Sequence, residues 1–447
     1  MLNTIIDIAK TPAILVALIA ILGQFLQKKS FSEIMRAGIK TFVGFLVISA
    51  GADVVSNALA PFGDLFQKAF NVAGVVPTNE AIVAVALKTY GTETALIMLV
   101  GMGVNILLAR FTRFKYIYLT GHCTFFLSAC IAAIISVMGF KGAELIVVGG
   151  LIIGIANTVF PAMTQPFTRQ ITGDDSVALA HTGDSGYALS ALVGMLVGNK
   201  EKSTENIKFP QGLTILRDST ISITLTMAVI YIVLVLLVGS DYIATISDGT
   251  NGIVWAITKG GSFAGGVFVV LSGVRLVLAE IVPAFQGISE KLVPDAKPAL
   301  DCPIVFPYAP NAVLIGFLSS FVGGVVSFII MMVTGTTLIV PGVIPHFFCG
   351  ATAGVYGNAT GGLRGCVIGS FIQGVAISYL PLFILPMLGG LGFEGSTFGD
   401  ADYGVVSVIL GGLNSIGGKV VVIAGIVLII ALLFALTFLG KKKRKEA

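Results

Sequence analysis

The sequence predicts an all-α protein that crosses a membrane many times. Three observations support this prediction: 55% of the 447 residues are hydrophobic, only 11% are charged, and the mean hydropathy is +0.97. Soluble domains carry about 25% charged residues, so this chain has too little charge to cover a water-facing surface. In lipid, every backbone polar group needs a partner within the protein, which leaves helices or a closed barrel.

The apolar segments favour helices over a barrel. They are long and do not alternate with polar residues, as in 221–238 and 420–439. About 20 helical residues cross a hydrocarbon core of about 30 Å, whereas a barrel strand shows about 10 residues of alternating character. Eleven helical spans are predicted: 12–26, 41–60, 81–109, 116–138, 143–161, 177–198, 219–239, 252–282, 311–334, 364–389 and 419–440.

Two segments between these spans, 62–80 and 285–310, are rich in proline and polar residues. Proline prevents a continuous helix, and broken helices surround the solute in many transporters. Re-entrant or half-helical structure is therefore expected in both segments. The N-terminus shows no signal-peptide cleavage pattern, so the first apolar segment is expected to remain as a helix.

Lysine and arginine residues predict the orientation of the chain. They cluster in the segments 28–40 and 200–217 and in the tail 441–445, and such clusters mark the cytoplasmic side. The N-terminus is then outside and the C-terminus inside, which requires an odd number of spans. The tail is interpreted as a solvated end near lipid headgroups rather than a nucleic-acid-binding segment.

The chain also contains an apparent internal repeat. Three pairs of segments match at similar separations: 49–62 with 272–285, 90–97 with 308–315, and His122 with His346. Two repeats of opposite topology, at about 12–198 and 219–440, would suit a transporter that exposes its solute alternately to the two sides. A chance match between apolar segments is the alternative.

Polar residues interrupt the apolar chain in four places. A charged side chain at the bilayer centre costs at least about 2.5 kcal/mol, so it is expected to face a cavity or a partner. The four clusters are 77–80, 119–124, 172–187 and 300–311. Helix caps, exposed loops and structural histidines are the alternatives. Imidazole and carboxylate groups hydrogen-bond hydroxyls, so His122, His181 and Asp301 favour a sugar-like solute.

No catalytic, metal-binding or cofactor-binding pattern is found in the sequence. The five cysteines have neither a CxxC spacing nor a Cys/His metal spacing. HExxH and GxSxG motifs are absent, which argues against a membrane-embedded enzyme. No metal, cofactor or catalytic residue is therefore expected.

Several segments resemble the IIC membrane component of the L-ascorbate-type phosphotransferase system, in the ascorbate/galactitol superfamily. The resemblance covers nearly the whole chain and is most specific in 274–316. The matching segments are LTGH at 119–122, VRLVLAE at 274–280, AFQGISEKLVP at 284–294, and DC at 301–302 followed by YAPNAV at 308–313.

This resemblance implies a homodimer in the bacterial cytoplasmic (inner) membrane. Each protomer would be a single membrane domain over 1–447, built from a core and a V-motif dimerisation domain. The core would carry the sugar by elevator-type alternating access. Partner proteins IIA and IIB would supply the phosphoryl chemistry at the expense of phosphoenolpyruvate, so that this chain acts as a transport subunit for L-ascorbate or a related sugar or sugar acid.

By position, the family's ascorbate contacts fall on ten residues of this chain: Asn79, Glu80, His122, Cys123, Thr124, Phe125, Phe126, His181, Thr182 and Asp301. Phe126 and Thr182 stand where ascorbate members have glutamine, and Asn79 and Glu80 replace a Thr-Tyr pair. Because the loss of two amides changes the hydrogen-bonding groups of the pocket, a related pentose, pentitol or sugar acid competes with ascorbate as the expected solute. The alternative from another class of carrier is an ion-coupled secondary transporter of a polar solute, for which the repeat and Asp301 both argue.

Overall fold

The computed structural model describes residues 12–71, 74–207, 215, 218–391 and 395–446. At some positions inside these ranges, among them 280–290 and 439–446, the structure describes the backbone but not the side chains. Several predictions therefore concern parts of the chain that the structure does not describe. These parts are residues 1–11, Lys208, Arg217, most side chains of the 284–294 segment, and the basic side chains of the tail.

Helices form most of the described chain. The first half contains α1 (Pro12–Leu26), α2 (Phe31–Leu59), α3 (Phe62–Phe70), α4 (Asn79–Phe111), α5 (Gly121–Val137), α6 (Gly142–Thr172) and α7 (Asp184–Val197). The second half contains α8 (Ser219–Val238), α9 (Ser240–Ile246), α10 (Gly252–Leu292), α11 (Pro310–Thr334), α12 (Val343–Ile384) and α13 (Ala401–Glu446). A 3₁₀ turn, Cys302–Tyr308, precedes α11.

Seven helical segments within the described residues are long and apolar enough to cross a membrane. They are Phe31–Phe70, Asn79–Phe111, Gly142–Thr172, Gly252–Val277, Pro310–Thr334, Val343–Met387 and Ala401–Phe438. Shorter apolar helices occupy Gly121–Val137, Asp184–Val197 and Ile223–Val238. The multi-pass helical class is confirmed, whereas the predicted number of eleven spans is not.

Two of the long helices are interrupted at glycine. The backbone of α12 leaves the helical region at Gly362, where φ is 60° and ψ is −152°, and α13 is interrupted at Gly417 and Gly418. A Cβ atom at position 362 would lie 2.2 Å from the carbonyl oxygen of Asn199. The predicted spans 364–389 and 419–440 match only the parts after these breaks, because glycine and polar residues lower the hydropathy of the parts before them.

The chain also contains short strands that the hydropathy pattern did not predict. They are β1 (Gly74–Pro77), β2 (Tyr116–Tyr118), β3 (Ala178–Leu179), β4 (Lys297–Leu300), β5 (Leu338–Ile339) and β6 (Ser396–Thr397). They form two three-stranded sheets, in the orders β5-β1-β6 and β2-β4-β3, and every pair is parallel. Non-helical backbone is tolerated at membrane depth when it is buried in protein, and this pairing satisfies its N–H and C=O groups.

Glycines allow the helices around these sheets to pack closely. A Cβ atom at Gly354 of α12 would lie 2.6 Å from the Cα atom of Gly316 in α11. A Cβ atom at Gly44 of α2 would lie 2.8 Å from the carbonyl oxygen of Gly273 in α10. Small residues at helix crossings are typical of membrane proteins, where van der Waals contact drives helix association.

Candidate functional site

A cavity of about 550 Å³ is lined by residues that follow strands of both sheets. Its lining is formed by Asn79, Glu80, Gly121, His122, Cys123, Phe126, His181, Thr182, Ile223, Leu271, Val274, Arg275, Ala279, Asp301, Pro303, Ile344, Phe348 and Asp400. The volume falls in the range of small-molecule sites, which are about 300–1,000 Å³.

The strands explain why residues so distant in sequence meet in one cavity. The carboxyl ends of parallel strands meet at the same edge of a sheet, where ligands commonly bind in open α/β sheets. Each of the six described strands is followed within a few residues by lining residues. These are Asn79 and Glu80 after β1, His122 after β2, His181 after β3, Asp301 after β4, Ile344 after β5, and Asp400 after β6.

His122 and Asp301 form the first polar pair of the site. The Nε2 atom of His122 lies 3.6 Å from Oδ2 of Asp301, and both side chains are more than one third exposed to the cavity. Oδ1 of Asp301 also accepts a hydrogen bond of 2.7 Å from the backbone N–H of Cys302, at the start of the 3₁₀ turn. The carboxylate is therefore held in place by the backbone while it faces the imidazole.

His181 is buried behind this pair. Its Nδ1 atom lies 2.7 Å from the hydroxyl of Tyr187, and the residue is 6% exposed. Tyr187 itself is fully buried. A hydrogen bond to one imidazole nitrogen fixes the ring orientation and leaves the other nitrogen to serve the cavity. His181 can thus offer a single, oriented donor or acceptor to a solute.

Asp400 and Thr182 form a second polar pair. The Thr182 hydroxyl donates a 2.5 Å hydrogen bond to Oδ2 of Asp400, and both residues are buried. Thr182 was predicted as a site residue, whereas Asp400 was not. Asp400 lies between 389 and 419, outside every predicted span, so hydropathy gave no sign that its carboxylate is buried.

Asn79 and Glu80 begin α4 at the end of β1. The Asn79 side-chain oxygen accepts a hydrogen bond of 2.8 Å from the backbone N–H of Gly399. Glu80 is buried, and its Oε2 atom has no hydrogen-bond partner among the described residues. Asn79 thereby ties the end of one strand to the loop after β6, and Glu80 adds a carboxyl group to the cavity wall.

The structure brings eight of the ten predicted residues to the cavity and leaves two outside it. Thr124 and Phe125 do not line the cavity. The Thr124 hydroxyl lies 3.4 Å from the side-chain nitrogen of Asn157, and Phe125 is packed in the apolar core. Successive residues of a helix are about 100° apart, so these two lie off the face that carries His122, Cys123 and Phe126.

Arg275 is another lining residue that the prediction missed. It lies on α10 and is exposed, and among the described residues that line the cavity it is the only lysine or arginine. The sequence contained a signal for it, because an arginine within the apolar segment 252–282 is costly in lipid.

Among the residues that the structure describes, three groups of side chains around the cavity have the donor types that hold metal ions. They are His122, Cys123 and Asp301; His181, Asp301 and Cys302; and His181, Cys349 and Asp400, with the ligand atoms of each group within 4.8 Å of one another. Asp301 belongs to the first and second groups, and His181 belongs to the second and third. The same atoms are also suitable for hydrogen bonds to hydroxyls.

A family model described as "PTS system sugar-specific permease component" (EIIC-GAT) matches residues 7–402. The chain belongs to this family of sugar-specific membrane permeases of the phosphotransferase system. The resemblance that the motifs indicated is therefore confirmed at the level of the family. The prediction of a multi-pass membrane protein is confirmed as well.

The chain is also similar to a curated relative, the "Ascorbate-specific PTS system EIIC component" of Mycoplasma pneumoniae (strain ATCC 29342 / M129 / Subtype 1). The two are 26% identical over 430 residues. The match covers 83% of this chain and 65% of the relative, so the chain spans just under two thirds of the relative's length.

Proposed function

We propose that this protein is the sugar-translocating IIC subunit of a phosphoenolpyruvate-dependent phosphotransferase system. It takes up L-ascorbate or a related sugar or sugar acid, and a partner IIB protein, itself charged by IIA, phosphorylates the solute at the cytoplasmic face. The observation that carries this proposal is a cavity of about 550 Å³, with histidine and carboxyl side chains in its lining, in a chain of the permease family. The described lining residues include two imidazoles and three carboxyl groups, which can hydrogen-bond the hydroxyls of a sugar.

Eight of the predicted residues form the proposed solute site: Asn79, Glu80, His122, Cys123, Phe126, His181, Thr182 and Asp301. His122, His181 and Asp301 are its central hydrogen-bonding groups. Phe126, whose ring centroid lies 6.1 Å from that of His122, provides an apolar face. Thr124 and Phe125 are not proposed as contacts, because neither reaches the cavity.

We also infer a two-fold repeat over about 12–198 and 219–440. The strand registers support it: exchanging β1 with β4, β2 with β5 and β3 with β6 converts the order β5-β1-β6 into β2-β4-β3. The paired residues Gly74 and Leu338 correspond to Lys297 and Tyr116, and the pair Val76–Ser396 corresponds to Ala299–Ala178.

The cavity lining follows the same relation. Four pairs of lining residues lie at the separations that the strands define: Glu80 with Pro303, His122 with Ile344, Phe126 with Phe348, and Thr182 with Asp400. In this register His122 corresponds to Ile344 rather than to His346. The pseudo-two-fold axis would therefore pass through the cavity, as expected when two repeats enclose one solute.

The wider assembly is proposed from the family resemblance and from helix packing. Helix α10 packs mainly on α2 and α8, and α12 packs mainly on α11 and α7. The first set would form the V-motif domain of a homodimer, and the second would form part of a core that moves as an elevator. The protein would lie in the bacterial cytoplasmic membrane with its N-terminus outside and its C-terminus in the cytoplasm.

Uptake in membrane vesicles tests the proposed function. Vesicles that contain the chain, with purified IIA, IIB and the general phosphotransferase proteins inside, should accumulate phosphorylated sugar only when phosphoenolpyruvate is supplied. Vesicles carrying Asp301→Asn serve as the control for a damaged site. Uptake of free sugar driven by a sodium or proton gradient alone would contradict the proposal and favour an ion-coupled secondary transporter.

A further inference from the structure

Asp400 adds to the proposed site a buried carboxylate that was not among the predicted site residues. Only 4% of the residue is exposed, yet it lines the cavity from the loop after β6. The Thr182 hydroxyl donates to one of its oxygens. A carboxylate can accept about four hydrogen bonds, so this contact orients Asp400 and leaves capacity for hydroxyl groups of a solute.

Asp400 and Asp301 approach His181 from different sheets. A ring nitrogen of His181 lies within 4.8 Å of a carboxylate oxygen of Asp301 and within 4.8 Å of one of Asp400. Asp301 follows β4 and Asp400 follows β6. The imidazole is thus flanked by two carboxylates, an arrangement that can accept hydrogen bonds from hydroxyls at separate carbon atoms of one solute.

The charges of the cavity lining are unequal. Among the described residues of the lining, Glu80, Asp301 and Asp400 bring three carboxyl groups, and Arg275 on α10 brings one cation. Even if Glu80 were neutral, two carboxylates would share the described lining with one guanidinium, that of Arg275. Two like charges at about 4 Å repel by about 1 kcal/mol in water and by more near a protein interior, so a solute anion is disfavoured beside His181.

We propose that Asp400 is a solute contact that makes the site prefer an uncharged sugar or sugar alcohol to the corresponding sugar acid. This inference rests on the proposed function, because it takes the cavity to be the sugar site, and it narrows the solutes named there. Asp400 accepts hydroxyl hydrogen bonds, and Thr182 holds its carboxylate in position. A site built to bind hydroxyl groups discriminates strongly because its buried polar atoms lose their partners with the wrong ligand.

Pairs of ligands that differ only at one carbon test this preference. Purified full-length protein in detergent is titrated with xylitol and xylonate, with glucitol and gluconate, and with L-ascorbate, and binding is measured by calorimetry and thermal shift. The wild-type protein should bind at least one alditol more tightly than its matched aldonate and more tightly than ascorbate. Asp400→Asn should weaken alditol binding roughly 10- to 100-fold, as loss of a hydrogen bond to a charged group does, and should reduce the discrimination against the acid.

Two further variants keep the test decisive. Thr182→Val removes the hydroxyl that orients Asp400 while keeping the side-chain shape, so it should weaken alditol binding by less than Asp400→Asn does. Asp402→Asn changes a buried carboxylate that does not line the cavity, and the ratio of alditol to aldonate affinity should stay at the wild-type value.

The outcomes separate this inference from the proposed function. Tighter binding of the acids, lost in Arg275→Gln, would overturn the preference proposed here and leave the sugar permease intact. An unchanged ligand preference in Asp400→Asn would remove Asp400 from the site. Failure of the wild-type protein to bind any sugar, sugar alcohol or acid would contradict the proposed function and this inference with it.

Discussion

The carboxylate of Asp402 caps the start of α7 by accepting a hydrogen bond of 2.9 Å from the backbone N–H of Asp184. It also accepts one of 2.8 Å from the N–H of Ser185, and a third from the Ser185 hydroxyl. Asp184 occupies the equivalent position in the proposed first repeat, but its two carboxylate oxygens have no hydrogen-bond partner among the described residues. Asp402 therefore caps the helix that begins at Asp184, whereas the Asp184 carboxylate caps no helix in return within the described part of the chain.

Replacing Asp402 should destabilise the protein. Asp402→Ala removes three hydrogen bonds and leaves the buried N–H groups of Asp184 and Ser185 without acceptors, and each such loss costs about 1–3 kcal/mol. We expect a total loss of about 3 kcal/mol or more, seen as a lower unfolding midpoint in detergent. Asp174→Ala, which changes an exposed aspartate in a loop, should have a much smaller effect, and an equal loss in both variants would contradict the capping role.

Close packing of α11 against α12 predicts a second effect on stability. In Gly354→Ala the new Cβ atom would lie 2.4 Å from the carbonyl oxygen of Ala312 and 2.6 Å from Gly316 Cα, so the helices must separate. Overpacking of this kind costs about 1–3 kcal/mol. Gly103→Ala on α4 is the matched control, because no heavy atom lies within 4 Å of its Cβ position. Thermal unfolding should show the loss only at position 354.

Asp175 is expected to give a pH-dependent contribution to stability. Partial burial opposes the change, but hydrogen bonds from Lys297, Arg169 and Gln165 outweigh it and lower the pKa of Asp175 to about 2. An unfolded aspartate has a pKa of about 3.9. Because the folded pKa is the lower one, the stabilisation is complete above about pH 4 and is lost as the pH falls towards 2.

The comparison of wild type with Asp175→Asn measures this contribution. The Asp175 side chain is 42% exposed, so solvent limits the effect to about 1 kcal/mol at neutral pH. The difference in unfolding midpoint should shrink steadily below about pH 4. Lys297→Gln removes one of the groups that lower the pKa of Asp175. The contribution of Asp175 should therefore be smaller in that variant, and its loss should be complete at a higher pH than in wild type. A difference between wild type and Asp175→Asn that stays constant from pH 7 to pH 3 would exclude the ion pairs as its source.

The helical class and three central polar residues could be predicted from the sequence because each depends on local composition. Charge poverty and long apolar segments indicate membrane helices without any knowledge of packing. His122, His181 and Asp301 were found because a polar residue in an apolar segment must have a partner or a cavity. The structure places all three in one cavity.

The features that were missed depend on long-range pairing. Strands of two to four residues, such as Leu338–Ile339 and Ser396–Thr397, have no usable periodicity, and their pairing joins segments hundreds of residues apart. Without knowledge of the strand pairing, the sequence gives no reason to place Asp400 near His181. The breaks at Gly362 and Gly418 likewise concealed the helical segments before them, because a window of mean hydropathy does not distinguish a glycine that packs helices from one that ends them.

The three histidines of the chain allow a sharp test of the proposed solute site. His122 and His181 line the cavity, whereas His346 is buried elsewhere, with its Nδ1 atom 2.8 Å from the Ser320 hydroxyl. His181→Ala should abolish sugar binding, because it removes the group held between Asp301 and Asp400. Calorimetry on the purified variant measures this, and size-exclusion chromatography should show an unchanged oligomeric state. His346→Ala is the matched control, and its folded fraction should bind sugar with wild-type affinity.

Asp301→Asn tests the carboxylate of the same site with little change of shape. The amide can still accept the N–H of Cys302, so the 3₁₀ turn at Cys302–Tyr308 should persist. The charge that faces His122 is lost, and a hydrogen bond to a charged group contributes about 1.5–3 kcal/mol. Sugar affinity should therefore fall by at least roughly 10-fold, while the unfolding midpoint stays close to that of wild type. Wild-type affinity in this variant would show that Asp301 supports the turn and does not contact the solute.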